Sequence, residues 1–195
     1  SYCYNSSNFV SKRAAGEHYL SANGEPVHGD FFAQSSFATH AIGNERSVVK
    51  IRKDAPLEML GPLGCGIQTG AGAVFNELKL QPGQSLAVFG VGTLGLSAIM
   101  AARLAGASRI IAVDRHKHRL ELAKELGAQD IVLAGNAPVD EEIMDLTTHG
   151  VDRVLDTTGV PAVMTQGINV LAPRGACAFV TGPWDGSPLP LAVRP

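Results

Sequence analysis

The strongest constraint in this 195-residue chain is one junction near its middle. The apolar run Ser85-Leu86-Ala87-Val88-Phe89 leads directly into Gly90-Val91-Gly92-Thr93-Leu94-Gly95, and a helical pattern continues to Leu104. Glycines spaced G-x-G-x-x-G between a strand and a helix have three separate tasks. The first makes a tight turn, the second lets the backbone approach a diphosphate, and the third lets the helix pack close to the strand. The helix N-terminus then offers free N–H groups and a partial positive charge to the anion. Such a pattern is weak by itself, but a second element supports it. Asp114 closes the next β-branched run, Arg109–Asp114, close to the offset of about 20 residues where an acid meets the adenosine ribose. A carboxylate there accepts from both ribose hydroxyls and repels a 2′-phosphate, which favours NAD over NADP. Gly90, Gly92, Thr93, Leu94, Gly95 and Asp114 are therefore the candidate cofactor-binding residues. Arg115 and Arg119 belong to the adjoining run Arg-His-Lys-His-Arg. A solvated first helical turn is the plainer reading of that run, and a basic rim beside the ribose is the functional one. An arginine in this place is also what NADP sites use, but Asp114 keeps the preference with NAD.

From Gln81-Pro82-Gly83 onward the pattern is regular. Strands are predicted at Ser85–Phe89, Arg109–Asp114, Asp130–Leu133, Val151–Asp156 and Ala176–Thr181. Helices are predicted at Gly92–Leu104, Lys117–Leu126, Val139–Thr148 and Ala162–Leu171, the first three closed by Gly106, Gly127 and Gly150. This alternation is the signature of a parallel sheet wrapped by helices, and such continuously apolar strands are buried on both faces. The fold class is α/β, a Rossmann-type doubly wound parallel sheet with five strands present.

The earlier residues are less regular. Residues 1 to about 35 read as loop with a single short strand. Ser36–Ala41 and Ser47–Ile51 have β-type patterns. Asp54 is placed to cap a short helix at Pro56–Leu60, and Gly61 and Pro62 interrupt it. A further helix covers about Thr69 to Leu78.

Composition excludes several classes. Hydrophobic residues make up 45% and charged residues 17% of the chain, which suits a globular core rather than disorder. The formal net charge of −2 argues against nucleic acid or an anionic membrane as the main partner. The uncharged stretches Glu58–Glu77 and Lys79–Arg103 are broken by glycine and proline, so neither reads as a membrane span. Three widely spaced cysteines, Cys3, Cys65 and Cys177, make no disulfide framework and point to a reducing compartment, the cytoplasm. No tyrosine has a lysine four residues on, so the short-chain dehydrogenase proton-transfer pair is absent. Leu94 stands where the G-x-G-x-G of a methyltransferase needs glycine.

Cys65 sits among glycines in Gly61-Pro62-Leu63-Gly64-Cys65-Gly66-Ile67-Gln68-Thr69-Gly70. Taken alone, such a thiol is most often a small buried hydrophobe. Cys65-Gly66-x-x-Thr69-Gly70, with the glycine loop further along the chain, resembles the zinc-dependent medium-chain alcohol dehydrogenases. With Phe31-Phe32-Ala33-Gln34-Ser35-Ser36-Phe37-Ala38-Thr39 added, the chain is most similar to their benzyl-alcohol (aryl-alcohol) branch. The resemblance runs over essentially the whole chain.

The resemblance implies three segments. Residues 1–55 would be the C-terminal part of a GroES-like, β-rich catalytic domain. Residues 56–81 would be a helical connection carrying Cys65, and 82–195 an NAD-binding Rossmann domain that lacks its sixth strand. It further implies oxidation of an aromatic primary alcohol to the aldehyde by zinc-assisted hydride transfer to NAD. Cys65 matches the last protein ligand of the catalytic zinc, and Cys3 the final cysteine of a structural zinc lobe. By the same resemblance Thr69 matches a residue flanking the nicotinamide, Leu94 the apolar residue pressing on its far face, and Thr158 and Thr181 positions lining the dinucleotide crevice. A homo-oligomer, dimer or tetramer, is implied for the intact protein.

The first two catalytic ligands and three structural-zinc cysteines of the family have no counterpart here, so the chain reads as truncated at both ends. His18, His28, His40 and His149 lack ligand spacing to Cys65 and read as surface or loop histidines. Cys177 reads as core. One thiolate does not hold zinc tightly, so this chain alone is expected to bind NAD without catalysing. The alternatives are a non-catalytic NAD-binding module, a zinc-free quinone-reductase-like protein, and a zinc enzyme for another alcohol such as a terpene alcohol.

Overall fold

A computed structural model describes residues 20–27, 39–40, 45, 48–135, 138–183, 186 and 188–189. The chain divides into two compact units, Ser1–Ala55 and Pro56–Pro195. In the first, β1 (Leu20–Ala22) and β2 (Glu25–Val27) form an antiparallel hairpin with Leu20 opposite Val27. Asn23 (φ 54°) and Gly24 (φ 83°) supply the two positive φ angles of the tight turn, which Asn-Gly adopts with little strain. A single short strand is expected here from the sequence, and the Asn-Gly turn makes it two. The predicted strand at Ser36–Ala41 lies outside the described residues except at Thr39 and His40, which form a bend. Of the other, Val48–Ile51 is described and is not a strand, and Val49 is 86% exposed. The β-branched run has no partner ladder among the described residues, and strand propensity is realised only through neighbours.

The second unit begins with α1 (Leu57–Leu60), a 3₁₀ turn at Gly61–Gly64, α2 (Gly66–Gly72) and a π-type turn at Ala73–Glu77. The cap expected from Asp54 is absent. Its carboxylate instead takes two bonds from the Arg52 guanidinium, at 3.1 and 2.9 Å, and Pro56 holds the capping position. The second helix starts three residues before the predicted Thr69 because Gly66 is buried against a neighbouring helix. Packing overrides the weak helix propensity of glycine there.

The sheet contains β3 (Ser85–Phe89), β4 (Arg109–Asp114), β5 (Asp130–Leu133), β6 (Val151–Asp156) and β7 (Leu171–Phe179). Its order is β5-β4-β3-β6-β7 and every pair is parallel. The intervening helices are α3 (Thr93–Leu104), α4 (Lys117–Leu126), α5 (Val139–Leu146) and α6 (Pro161–Asn169). The expected five-stranded doubly wound parallel sheet is what forms. Side chains of β3 and β4 sort alternately to two cores. Leu86, Val88, Ile110 and Ala112 pack with Ile99 and Ala102 of α3 and Leu120 of α4. Ala87, Phe89, Ile111 and Val113 pack with Val139 and Ile143 of α5. β3 and β4 are buried on both faces, which explains their nearly unbroken apolar runs.

β7 departs from expectation. It begins at Leu171, five residues before the predicted Ala176, because Pro173-Arg174-Gly175 forms a bulge rather than a break. Leu171 pairs with Val151 and Ala176 with Arg153, and Arg174 takes φ 67° between them. The helix expected to run to Leu171 accordingly ends at Asn169, and α5 ends at Leu146 rather than Thr148. Strand order reverses beside β3, and the carboxyl ends of β3 and β6 meet at the switch point where ligands bind in open α/β sheets.

Candidate functional site

The glycine loop leaves the end of β3 and turns at Gly90, whose φ of 85° favours glycine. The turn is held from two sides. Gly90 N–H donates to the Val113 carbonyl at 2.8 Å, and the Thr157 hydroxyl donates to the Gly90 carbonyl at 2.9 Å. A Cβ added at Gly95 would collide with that same carbonyl oxygen, so the third glycine lets α3 start against the loop. A Cβ at Gly92 would meet nothing within 4 Å, so the middle of the loop faces open space. The first backbone bond of α3 runs from Leu96 N–H to the Gly92 carbonyl at 2.9 Å. The N–H groups of Thr93, Leu94 and Gly95 thus precede the intrahelical ladder and carry the positive end of the helix dipole. An open loop backed by these donors has the chemistry to receive a diphosphate.

Asp114 is 7% exposed at the end of β4. Its Oδ2 accepts the Val91 N–H at 2.9 Å and its Oδ1 the His116 N–H at 2.8 Å. The carboxylate therefore ties the second strand to the glycine loop, a task its spacing did not reveal. An ionised carboxylate has about four acceptor positions, so acceptor capacity remains for a ribose. Arg119 Nη1 lies 3.9 Å from Oδ2, and both Arg115 and Arg119 are exposed.

At the end of β6, Asp156 is fully buried. Its Oδ1 accepts the N–H groups of Thr158 and Gly159 at 3.0 and 3.1 Å, and its Oδ2 the Thr158 hydroxyl at 2.9 Å. Burial pushes its pKa above the ordinary carboxylate value against the pull of the Gly159 and Thr158 bonds. Thr158 stands beside the loop, with Cγ2 3.0 Å from where a Cβ on Gly90 would sit. Its hydroxyl is committed to Asp156 and to the Val160 N–H. The Thr181 hydroxyl, just beyond β7, donates to the Gly182 carbonyl at 3.2 Å.

Cys65 and Thr69 reach this region through α2. A Cβ on Gly66 would sit 2.7 Å from Thr93 Cγ2, and one on Gly70 would overlap the Leu94 carbonyl and lie 2.9 Å from Ser97 Cβ. Ser97, almost fully buried, donates its hydroxyl to the Ile67 carbonyl at 2.6 Å. Two glycines four apart lie on one helix face and bring α2 onto the first turn of α3. The Cys65 carbonyl accepts the Thr69 N–H at 2.9 Å. Cys65 is a free, exposed thiol rather than a core residue.

The residues present do not by themselves fit a zinc ion. Among the described residues no three His, Cys, Asp or Glu side chains converge as a metal site. His40 and His149 are exposed. Cys3, His18 and His28 lie outside the described residues. Cys177, on β7, is half-buried, and burial together with the nearby Asp156 charge pushes its thiol up to about 12. Among the described residues no helix is long and apolar enough to cross a membrane.

Asp156 and Ser97 belong to this region without having been singled out by sequence. Asp-Thr-Thr-Gly is a readable signal for Asp156, since an aspartate with Thr and Gly after it often folds its carboxylate onto the next N–H groups. Ser97 has none, because a lone serine on an apolar helix face is uninformative.

Residues 93–194 match the family model described as zinc-binding dehydrogenase. Geraniol dehydrogenase of Castellaniella defragrans is 46% identical over 185 residues, covering 94% of this chain and 49% of that protein. An alcohol dehydrogenase zinc-binding domain protein from Burkholderia ambifaria superposes with a TM-score of 0.81 at 52% identity, covering 87% of this chain and 46% of that one. Benzyl alcohol dehydrogenase from Acinetobacter calcoaceticus does so with a TM-score of 0.81 at 45% identity, covering 91% and 51%. The chain spans about half the length of the curated relatives it matches.

Proposed function

The chain belongs to the zinc-binding dehydrogenase family, which uses NAD and zinc, and on that premise we propose that its α/β unit is the NAD-binding half of an alcohol dehydrogenase. The observation that carries the proposal is the loop at Gly90–Gly95, open at Gly92 and backed by the free N–H groups of α3. In this reading Gly92, Thr93 and Leu94 bind the diphosphate through backbone N–H groups. Asp114 takes the adenosine ribose while keeping the loop in place. Leu94 bears on the nicotinamide, Thr69 flanks it, and Thr158 and Thr181 border the crevice. NAD, when bound, supplies the hydride acceptor, so an alcohol leaves as its aldehyde with release of a proton.

Residues 1–55 are assigned to the catalytic domain, 56–81 to the connection and 82–195 to the cofactor domain. Cys65 is offered as one ligand of the catalytic zinc and Cys3 as one of a structural zinc. The remaining ligands would have to come from elsewhere in the intact protein. We assign the substrate as an aromatic primary alcohol of the benzyl type, on the Phe31–Thr39 and Leu60–Gly70 segments. Support comes from the resemblance to benzyl alcohol dehydrogenase. The comparable resemblance to geraniol dehydrogenase favours an allylic terpene alcohol as the second reading. The intact protein is further proposed to be a cytoplasmic homo-oligomer. Steady-state rates of NAD reduction with benzyl alcohol and with geraniol, before and after zinc chelation, test these assignments. A higher kcat/KM for benzyl alcohol that collapses on chelation is expected. No NAD reduction with either alcohol would overturn the activity, and a preference for geraniol would overturn the substrate.

A further inference from the structure

We infer that Asp156 is a positioning residue for the dinucleotide, because its buried carboxylate fixes the Thr157–Gly159 turn that closes on Gly90 at the base of the glycine loop. The inference rests on the NAD reading of the loop and adds a residue which that reading does not use. Asp156 is the register partner of Phe89 across the β3–β6 pair, at the point where strand order reverses. No part of it reaches solvent. Its two oxygens gather Thr158 N–H, Gly159 N–H and the Thr158 hydroxyl, all within 3.1 Å. The neighbouring Thr157 then reaches back to β3. Its N–H donates to the Phe89 carbonyl and its hydroxyl to the Gly90 carbonyl, each at 2.9 Å.

Contact between the two segments is close. A Cβ at Gly90 would lie 2.6 Å from Thr157 Oγ1 and 3.0 Å from Thr158 Cγ2. The Gly90 turn therefore has no slack on this side, and displacement of Thr157 or Thr158 displaces the carbonyl against which Gly95 and α3 are set. A carboxylate is a costly residue to bury, since burial disfavours its charged form. Here burial does outweigh the bonds made to it. A local conflict of this kind, placed where strand order reverses, falls where functional positions concentrate. A turn cap with no further role would affect stability alone. A positioning residue affects the ligand in molecules that remain folded.

The test uses the intact protein with Asp156→Ala, Asp156→Asn, Thr158→Val and Thr158→Ser. NADH affinity is read by fluorescence titration, and hydrogen exchange of the Thr158 and Gly159 amides is read without cofactor. Asp156→Ala is expected to weaken NADH at least about tenfold, the effect of roughly one lost charge-assisted hydrogen bond, and to abolish protection at both amides. Thr158→Val, which leaves the carboxylate in place, is expected to weaken NADH about threefold to fivefold, as for one neutral bond. Thr158→Ser should restore affinity to within about twofold, and Asp156→Asn should fall between wild type and alanine, since it keeps one acceptor. If Asp156→Ala does not fold, Asp156→Asn decides, through its NADH affinity read together with exchange at the Thr158 and Gly159 amides. Folded variants that all bind NADH within about twofold of wild type would overturn the inference and leave the NAD reading intact. A wild-type protein that binds no NADH would remove both.

Discussion

Two glycines in one short helix are expected to respond to the same substitution with opposite signs. A methyl added at Gly70 would overlap the Leu94 backbone oxygen and lie 2.9 Å from Ser97 Cβ. The oxygen belongs to the first turn of α3 and cannot swing aside, so α2 must retreat and stretch the 2.6 Å bond from Ser97 to the Ile67 carbonyl. Overpacking of this kind costs about 1–3 kcal/mol, and loss of the bond about 0.5–1.5 kcal/mol more. The better helix propensity of alanine offsets up to about 1 kcal/mol. Gly70→Ala should therefore destabilise by about 1–3 kcal/mol. A methyl at Gly72 would meet only Asn76 Nδ2, at 3.7 Å. Gly72→Ala should stabilise by up to about 1 kcal/mol through propensity and reduced unfolded-state entropy. Urea unfolding of both variants, read as a change in midpoint at constant slope, separates the two. In the folded Gly70→Ala protein, turnover should fall more than NADH affinity, because the displaced helix carries Cys65 and Thr69 rather than the glycine loop. Equal shifts of the same sign would refute the docking of α2 through Gly66 and Gly70.

Asp114→Asn should weaken NADH by about tenfold to a hundredfold, since an amide replaces a charged acceptor and turns a donor toward the Val91 or His116 N–H. The NADH-to-NADPH affinity ratio should fall at the same time, and fluorescence titrations with the two nucleotides check both. Iodoacetamide at about pH 8, near the ordinary thiol pKa, should label Cys65, which is exposed, well before Cys177, whose half-buried thiol is pushed up to about 12. Peptide mass analysis reads the result, and rapid labelling of Cys177 in folded protein would contradict its burial. For Asp152, the Ser85 N–H, 2.8 Å from Oδ2, holds the carboxyl below its usual value. Its contribution to stability is thus present above the unfolded value of 3.8 and lost as pH falls through the lower folded value. Asp152→Asn should consequently be less stable than wild type at about pH 7 and converge with it as pH falls through the lower folded value, as tracked by urea midpoints across pH.

The alternation of apolar strands and amphipathic helices after Gln81 was legible because the central strands β3 and β4 are buried on both faces, so their runs had to be apolar almost throughout. What local pattern could not weigh was competition. Asp54 looks like a helix cap, but Arg52 two residues earlier takes its carboxylate. Val48–Ile51 looks like a strand, but strand character needs a ladder that no described neighbour provides. Pro173-Arg174-Gly175 looks like a break, and a bulge absorbs it because Val151 and Arg153 remain available as partners.

Asp114 and Asp156 illustrate the limit at the candidate site. Each ends an apolar strand, and sequence spacing singled out only the first. The two differ in the residues on their C-terminal side. Arg115 is exposed and only the His116 N–H returns to the Asp114 carboxylate, whereas Thr157-Thr158-Gly159 folds back and wraps that of Asp156. Gly66 and Gly70 were readable as part of a motif, but their role depends on the backbone of α3, which lies more than twenty residues further along the chain.

The central claim concerns the loop after β3, and the structure of the intact protein crystallised with NADH tests it most directly. The diphosphate should accept hydrogen bonds from N–H groups between Gly92 and Gly95, with the adenosine ribose on the carboxylate of Asp114. A cofactor bound in another cleft, with the space before Gly92 filled only by solvent, would contradict it.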